Sequence, residues 1–189
     1  MKSLPTLLVI GGSAGSLEVL MQLLPELKMD WPLAMIIVLH RKADSETLLS
    51  DLLSTKTCLC VKEAEEKDIL LAGCIYVAPA DYHLLIEPDG SLTLDASEKV
   101  HYSRPSIDVT FISAAEACGD RLYCLLLSGA NMDGAEGLQI VHELGGFTAV
   151  QDPETAEASF MPKCAISTAK VDKVLNIREM IDFVRDLKE

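Results

Sequence analysis

Three uninterrupted apolar runs constrain this chain most: "TLLVI" at Thr6–Ile10, "LAMIIVLH" at Leu33–His40 and "LYCLLLSG" at Leu122–Gly129. A strand with one wet face alternates apolar and polar residues. Runs without alternation need cover on both faces, as in a parallel sheet flanked by helices. Between the runs the spacing turns helical. From Leu17, "LEVLMQLLPEL" repeats apolar residues at Leu17, Leu20, Met21, Leu23, Leu24 and Leu27, with Ser16 placed as its N-cap. A second helix is expected around Ser45–Leu53. "RPSIDVTFISAAEAC" puts Ile107, Phe111, Ala115 and Cys118 on one helical face, with Pro105 and Ser106 at its start. Further helices are expected at about 134–144 and 177–187, with "FTAVQD" as a strand between them. The middle of the chain reads instead as short strands, "CLCVKEA", "CIYVAPA", "HLLIEP" and "SLTLD", and Pro88-Asp89-Gly90 is a hairpin turn. The expected fold is one α/β domain over residues 1–189. Its sheet is doubly wound and mostly parallel, with helices on both faces and an antiparallel hairpin at one edge.

Composition narrows the function classes. The 189 residues carry a net charge of −13 with no basic stripe, which excludes phosphate-backbone binding as the main purpose; no nucleic-acid partner is expected. No apolar stretch reaches the roughly 20 residues that span a bilayer. The N-terminal run is shorter than a signal-peptide core and enters a glycine turn directly. A cytoplasmic protein without membrane insertion is expected. The six cysteines form no C-x-x-C pair, so ordinary reduced thiols are expected, with no metal and no cofactor.

In open parallel sheets, sites lie beyond the carboxyl ends of the strands. Ser13 follows the first run, His40 ends the second, and Asp133 follows the third in "ANMDGA". A nucleophile, a base and an orienting carboxylate are the residue types acyl transfer needs. Each also has a plain structural use: turn former, hydrogen-bonded strand end, Asp-Gly turn. Phosphate loops fit poorly. The P-loop lysine is missing, and the dinucleotide fingerprint aligned on Gly11 meets Ser13 and Ser16 where it needs glycine. Gly11-Gly12-Ser13-Ala14-Gly15 fits G-x-S-x-G, a strand-to-helix turn that exposes a serine. The first N–H groups of the following helix, and one near Ala130 or Asn131, are the candidate oxyanion donors.

These residues resemble the catalytic domain of the bacterial chemotaxis receptor methylesterases, the protein-glutamate methylesterase (CheB) family. The resemblance runs through "VIGGSAGS", "IIVLH", "IYVAPADYHLLI", "RPSIDVTFISAA", "LLLSGANMDGAEGL", "GGFTAVQDPETA" and "MPKCAI". It implies Ser13 as nucleophile, His40 as general base, Asp133 as orienting acid, and Arg104, Ser106 and Asp108 near the substrate cleft. It implies hydrolysis of glutamate γ-methyl esters, with glutamine deamidation at the same site, on the cytoplasmic helical region of methyl-accepting chemotaxis receptors. The family's nucleophile turn carries threonine and glycine where this chain has Ala14 and Ser16, Met-Pro where it has Arg41-Lys42, and methionine and glycine where it has Ala130 and Asn131. The resemblance also implies a receiver domain ahead of the catalytic one. The first strand begins within a few residues of Met1, so any control is expected to come from a separate protein in trans, or else to be absent. His83 is the rival base, His101 and His142 read as surface residues, and Cys164 is a weak nucleophile candidate beside Lys163. A non-catalytic receptor-binding module and a small-ester hydrolase are the alternative readings.

Overall fold

The computed structural model describes residues 4–41 and 48–188, without the side chain of Leu48. Among the described residues nine strands are present: β1 (Leu7–Gly12), β2 (Ala34–Leu39), β3 (Cys60–Glu63), β4 (Cys74–Val77), β5 (His83–Ile86), β6 (Leu92–Asp95), β7 (Leu122–Leu126), β8 (Phe147–Gln151) and β9 (Lys173–Leu175). Six α-helices accompany them: α1 (Ser16–Leu23), α2 (Leu48–Ser54), α3 (Ile107–Cys118), α4 (Ala135–Glu143), α5 (Phe160–Thr168) and α6 (Ile177–Asp186). Seven strands form one parallel sheet in the order β3-β4-β2-β1-β7-β8-β9.

The unbroken apolar runs now have their reason. Along β1, Leu7 and Val9 enter one core, while Leu8 and Ile10 enter the other. The first core is closed by Phe111 of α3, Leu138 of α4 and Ala165 of α5. The second is closed by Leu20 of α1, Leu53 of α2 and Met180 of α6. Successive side chains leave a strand on opposite faces, so a strand covered twice must be apolar at every position. Trp31 seals the second core and donates its indole N–H to the Val184 carbonyl at 3.1 Å.

The hairpin β5–β6 forms a two-stranded antiparallel sheet of its own. It is held on α3 by hydrogen bonds from Thr110 Oγ1 to the Leu84 carbonyl (2.9 Å) and from the Ile86 N–H to Ser113 Oγ (3.2 Å). "CLCVKEA" and "CIYVAPA" instead supply β3 and β4 of the large sheet. Cys58 and Cys60 are exposed, Cys118 and Cys124 buried, and all six thiols are free. The predicted second helix is seen from Leu48; Ser45–Thr47 and Lys42 lie outside the described residues. Among the described residues, no helix is long and apolar enough to cross a membrane.

Candidate active site

Strand register places the first two site residues. Gly12 pairs with Leu39 across β1 and β2, so the next residues, Ser13 and His40, leave adjacent parallel strands side by side. The His40 N–H fixes this exit by donating to the Gly12 carbonyl at 3.1 Å. On the other flank of β1, Gly11 pairs with Leu126 of β7, and the Ser13 N–H donates to the Ser128 carbonyl at 2.8 Å. The nucleophile candidate therefore stands at the sheet centre, where connections diverge to the two sides and open α/β folds place their sites.

The turn that carries Ser13 is closed by Ser16, though not as a helix cap. Gly15, at φ +81°, is the N-cap of α1, and Ser16 is its first helical residue. The buried Ser16 hydroxyl donates across the chain to the Ser128 carbonyl at 2.8 Å and accepts the Ser13 N–H at 3.0 Å. The expected N-cap role is thus replaced by a clasp on the loop that follows β7. Ser128 is held in turn: its N–H donates to Gln151 Oε1 (2.9 Å), and its hydroxyl accepts the Ala158 N–H (2.8 Å). With the Ser13 N–H committed to the Ser128 carbonyl, the Ala14, Ala130 and Asn131 N–H groups remain the candidate oxyanion donors. The residue after a nucleophile is a common oxyanion donor.

Asp133 is fully buried, yet every direction around its carboxylate is filled. Oδ2 faces His40 Nε2 at 2.7 Å and accepts the Ile107 N–H at 2.7 Å. Oδ1 accepts from the Ser106 hydroxyl at 2.8 Å and the Asp108 N–H at 3.0 Å. Burial pushes the carboxyl pKa up, but the His40 contact and the Asp108 and Ile107 N–H groups outweigh it, and the net shift is downward. Asp133 is therefore an ionised acceptor for the His40 Nε2–H, which leaves Nδ1 as the basic nitrogen. The supply of donors follows from the start of α3. Ser106 is the N-cap and the next two N–H groups are unpaired by the helix itself, so a buried anion satisfies them.

His83, the rival base, lies behind this arrangement. It is 1% exposed; Nδ1 accepts the Ser106 N–H at 3.1 Å and Nε2 meets the Glu98 carbonyl at 3.0 Å. Both nitrogens are engaged, Nδ1 by Ser106 next to Asp133 and Nε2 by the Glu98 carbonyl. Ser106 faces Asp133 rather than open space, and Asp108 is 3% exposed, with Oδ1 accepting the Gly137 N–H at 2.7 Å. Burial pushes the Asp108 carboxyl up to about 7; the Gly137 N–H opposes this and the Asp133 charge adds to it. Asn131 accepts the Asp133 N–H on Oδ1, and its Nδ2 reaches the His101 carbonyl and the Ser103 hydroxyl. Ala14 and Ala130 are exposed. His142 pairs with Asp172 at 3.5 Å, and Cys164 is partly buried on α5.

Two openings meet at His40. One, about 280 Å³, is lined by Ser13 and the aliphatic Leu17, Leu39, Leu49 and Leu52. The other, about 460 Å³, is lined by Arg41, Asp81, Lys99, Tyr102, Ser103 and Arg104. Arg104 is tied down there by Asp81 and the carbonyls of Ala96 and Ser97. Arg41 pairs with Glu63. The sequence did not point to Ser128 or to the place of His83, because both act through partners distant along the chain.

The CheB methylesterase family model matches residues 8–184. A relative from Leptospira interrogans is 42% identical over 179 residues, covering 94% of this chain and 93% of its own; its name, a provisional one, is protein-glutamate methylesterase/protein-glutamine glutaminase. The Carboxydothermus hydrogenoformans protein-glutamate methylesterase/protein-glutamine glutaminase 1 is 40% identical over 174 residues, covering 89% of this chain but 51% of that one. The crystal structure of the Thermotoga maritima CheB methylesterase catalytic domain superposes with a TM-score of 0.92 at 30% identity, covering all of both chains. The chain belongs to the CheB methylesterase family.

Proposed function

We propose that this chain hydrolyses γ-methyl esters of glutamate side chains on chemotaxis receptors through a Ser13–His40–Asp133 triad. The observation that carries the reading is the 2.7 Å contact between His40 Nε2 and the fully buried Asp133, on a histidine whose strand neighbour is the serine turn. In the reaction, His40 Nδ1 takes the Ser13 proton as the hydroxyl oxygen attacks the ester carbonyl carbon. The Ala14 N–H, with Ala130 or Asn131, faces the oxyanion. Collapse expels methoxide, which leaves as methanol with the proton from His40. Water, deprotonated by the same nitrogen, then cleaves the acyl-enzyme and frees the glutamate carboxylate. An amide side chain enters the same cycle and leaves as ammonia, so glutamine deamidation belongs to this proposal.

The test is methanol release from methylated receptor membranes by wild type and Ser13→Ala, with circular dichroism to check the fold. Loss of a triad nucleophile costs about 10⁶ in kcat in serine hydrolases. Full activity in a folded Ser13→Ala protein overturns the assignment.

A further inference from the structure

Asp108 has one carboxylate oxygen without a hydrogen-bond donor. Oδ1 accepts the Gly137 N–H, but Oδ2 is buried without a hydrogen-bond partner. It faces His101 Nε2 at 3.4 Å. That is within ion-pair reach but too long for a good hydrogen bond, which has its mode near 2.9 Å. Glu136, exposed at the start of α4, brings a third ligand atom, and all three lie within 4.8 Å of one another. They come from three different segments: the turn before α3, the first turn of α3 and the first turn of α4.

We propose that His101 Nε2, Asp108 Oδ2 and the Glu136 carboxylate form a binding site for a divalent transition cation of the zinc class. The 3.4 Å separation decides between a hydrogen-bonded pair and two ligands. Nitrogen and oxygen ligands bind zinc at about 2.0–2.1 Å, so two of them at a tetrahedral angle lie about 3.3–3.4 Å apart. Imidazole with carboxylates is a donor set this class of ion accepts. A cation also supplies a fixed positive charge beside a buried carboxylate that the Asp133 and Glu136 charges oppose. Exposed Glu136 leaves the outer side open, where water completes the coordination.

The test is a titration of the full chain with cobalt(II), followed by displacement with zinc(II), in wild type, His101→Gly, Asp108→Asn and Glu136→Gln proteins. Glycine keeps the left-handed backbone that His101 adopts at φ +49°. The expected result is one equivalent of cobalt with a nitrogen–oxygen spectrum and no thiolate charge-transfer band. Affinity should fall by about 100-fold or more in His101→Gly and Asp108→Asn, and by about 10-fold in Glu136→Gln. Absence of uptake overturns the proposal and leaves His101 and Asp108 as an ion pair only. Uptake unchanged by these substitutions, or carrying a thiolate band, overturns it in favour of the exposed cysteines. Glu136→Gln lies on the surface, so the comparison holds even where Asp108→Asn fails to fold.

Discussion

Gly12 and Ser16 compete for one volume: a Cβ on residue 12 would lie inside the contact distance of both the hydroxyl and the Cβ of Ser16. The hydroxyl that clasps the Ser13 turn to the loop after β7 is therefore possible only because Gly12 has no side chain. A G-x-S-x-G reading treats the second position as free. Here it is committed, by a residue four places further on.

This coupling predicts a rescue. Gly12→Ala should destabilise by about 1–3 kcal/mol through overpacking and lower kcat by displacing Ser13. Ser16→Gly alone should cost about 1 kcal/mol for each hydrogen bond lost, to Ser128 and from Ser13. The double variant should recover most of the Gly12→Ala loss, with a coupling energy of about 1–3 kcal/mol in chemical unfolding. Simple additivity of the two variants would show that the positions are independent.

Asp133→Asn should leave the fold intact while lowering methanol release by about 10⁴, the cost of presenting the wrong imidazole tautomer. The amide oxygen in the Oδ1 place can still accept the Ser106 hydroxyl and the Asp108 N–H, while the Ile107 N–H loses its acceptor, so stability should fall by about 1–3 kcal/mol without loss of the fold. A loss below tenfold would remove Asp133 from the proposed triad.

Ser106 joins helix capping to the acid. Ser106→Ala removes the α3 cap and the Asp133 Oδ1 donor together, and should cost about 1–2 kcal/mol of stability with a fall in kcat but little change in KM. Ser106→Thr keeps a hydroxyl and should restore most of both. Equal kcat in all three proteins would confine Ser106 to capping.

Asp172 predicts an acid limb in stability. Burial raises its carboxyl pKa, but the Thr148 N–H and hydroxyl outweigh it, with His142 adding, and the net shift is downward. A carboxylate held below its unfolded value of about 3.9 contributes stability that is present above that pH and lost as pH falls through the folded value. Denaturant unfolding from pH 2 to 7 should therefore show a shallower decline below about pH 4 in Asp172→Asn than in wild type. Parallel curves would exclude this contribution.

How far the sequence carried the fold can be seen in particular elements. Leu7–Ile10 announced a doubly covered strand because every residue of it is buried, and the strand-end rule then picked out Ser13, His40 and Asp133. β9 gave no such signal: two of its three residues are exposed, so Lys173–Leu175 has no apolar run to read. α5 was hidden by Pro162, which sits in its first turn, where a missing N–H costs nothing. The capping box of Asn176 and Glu179 at the start of α6 was readable and agrees with the expected helix. Ser16 was misplaced because capping is a local rule, whereas its hydroxyl reaches the Ser128 carbonyl in the loop after β7. His83 and Ser106 follow the same logic, since their partners are set by how the hairpin lies on α3.

The sharing of Asp133 between two elements has a dynamic consequence. Ser13 and His40 are pinned to β1 and β2 in the middle of the sheet, the part of such a fold that opens only with global unfolding. The donors on Asp133 belong instead to the first turn of α3, and terminal turns fray at a fraction of that free energy. The proposed triad should therefore lose its order at a lower free energy than the sheet, and amide exchange at Ile107 and Asp108 faster than along β1 would report it.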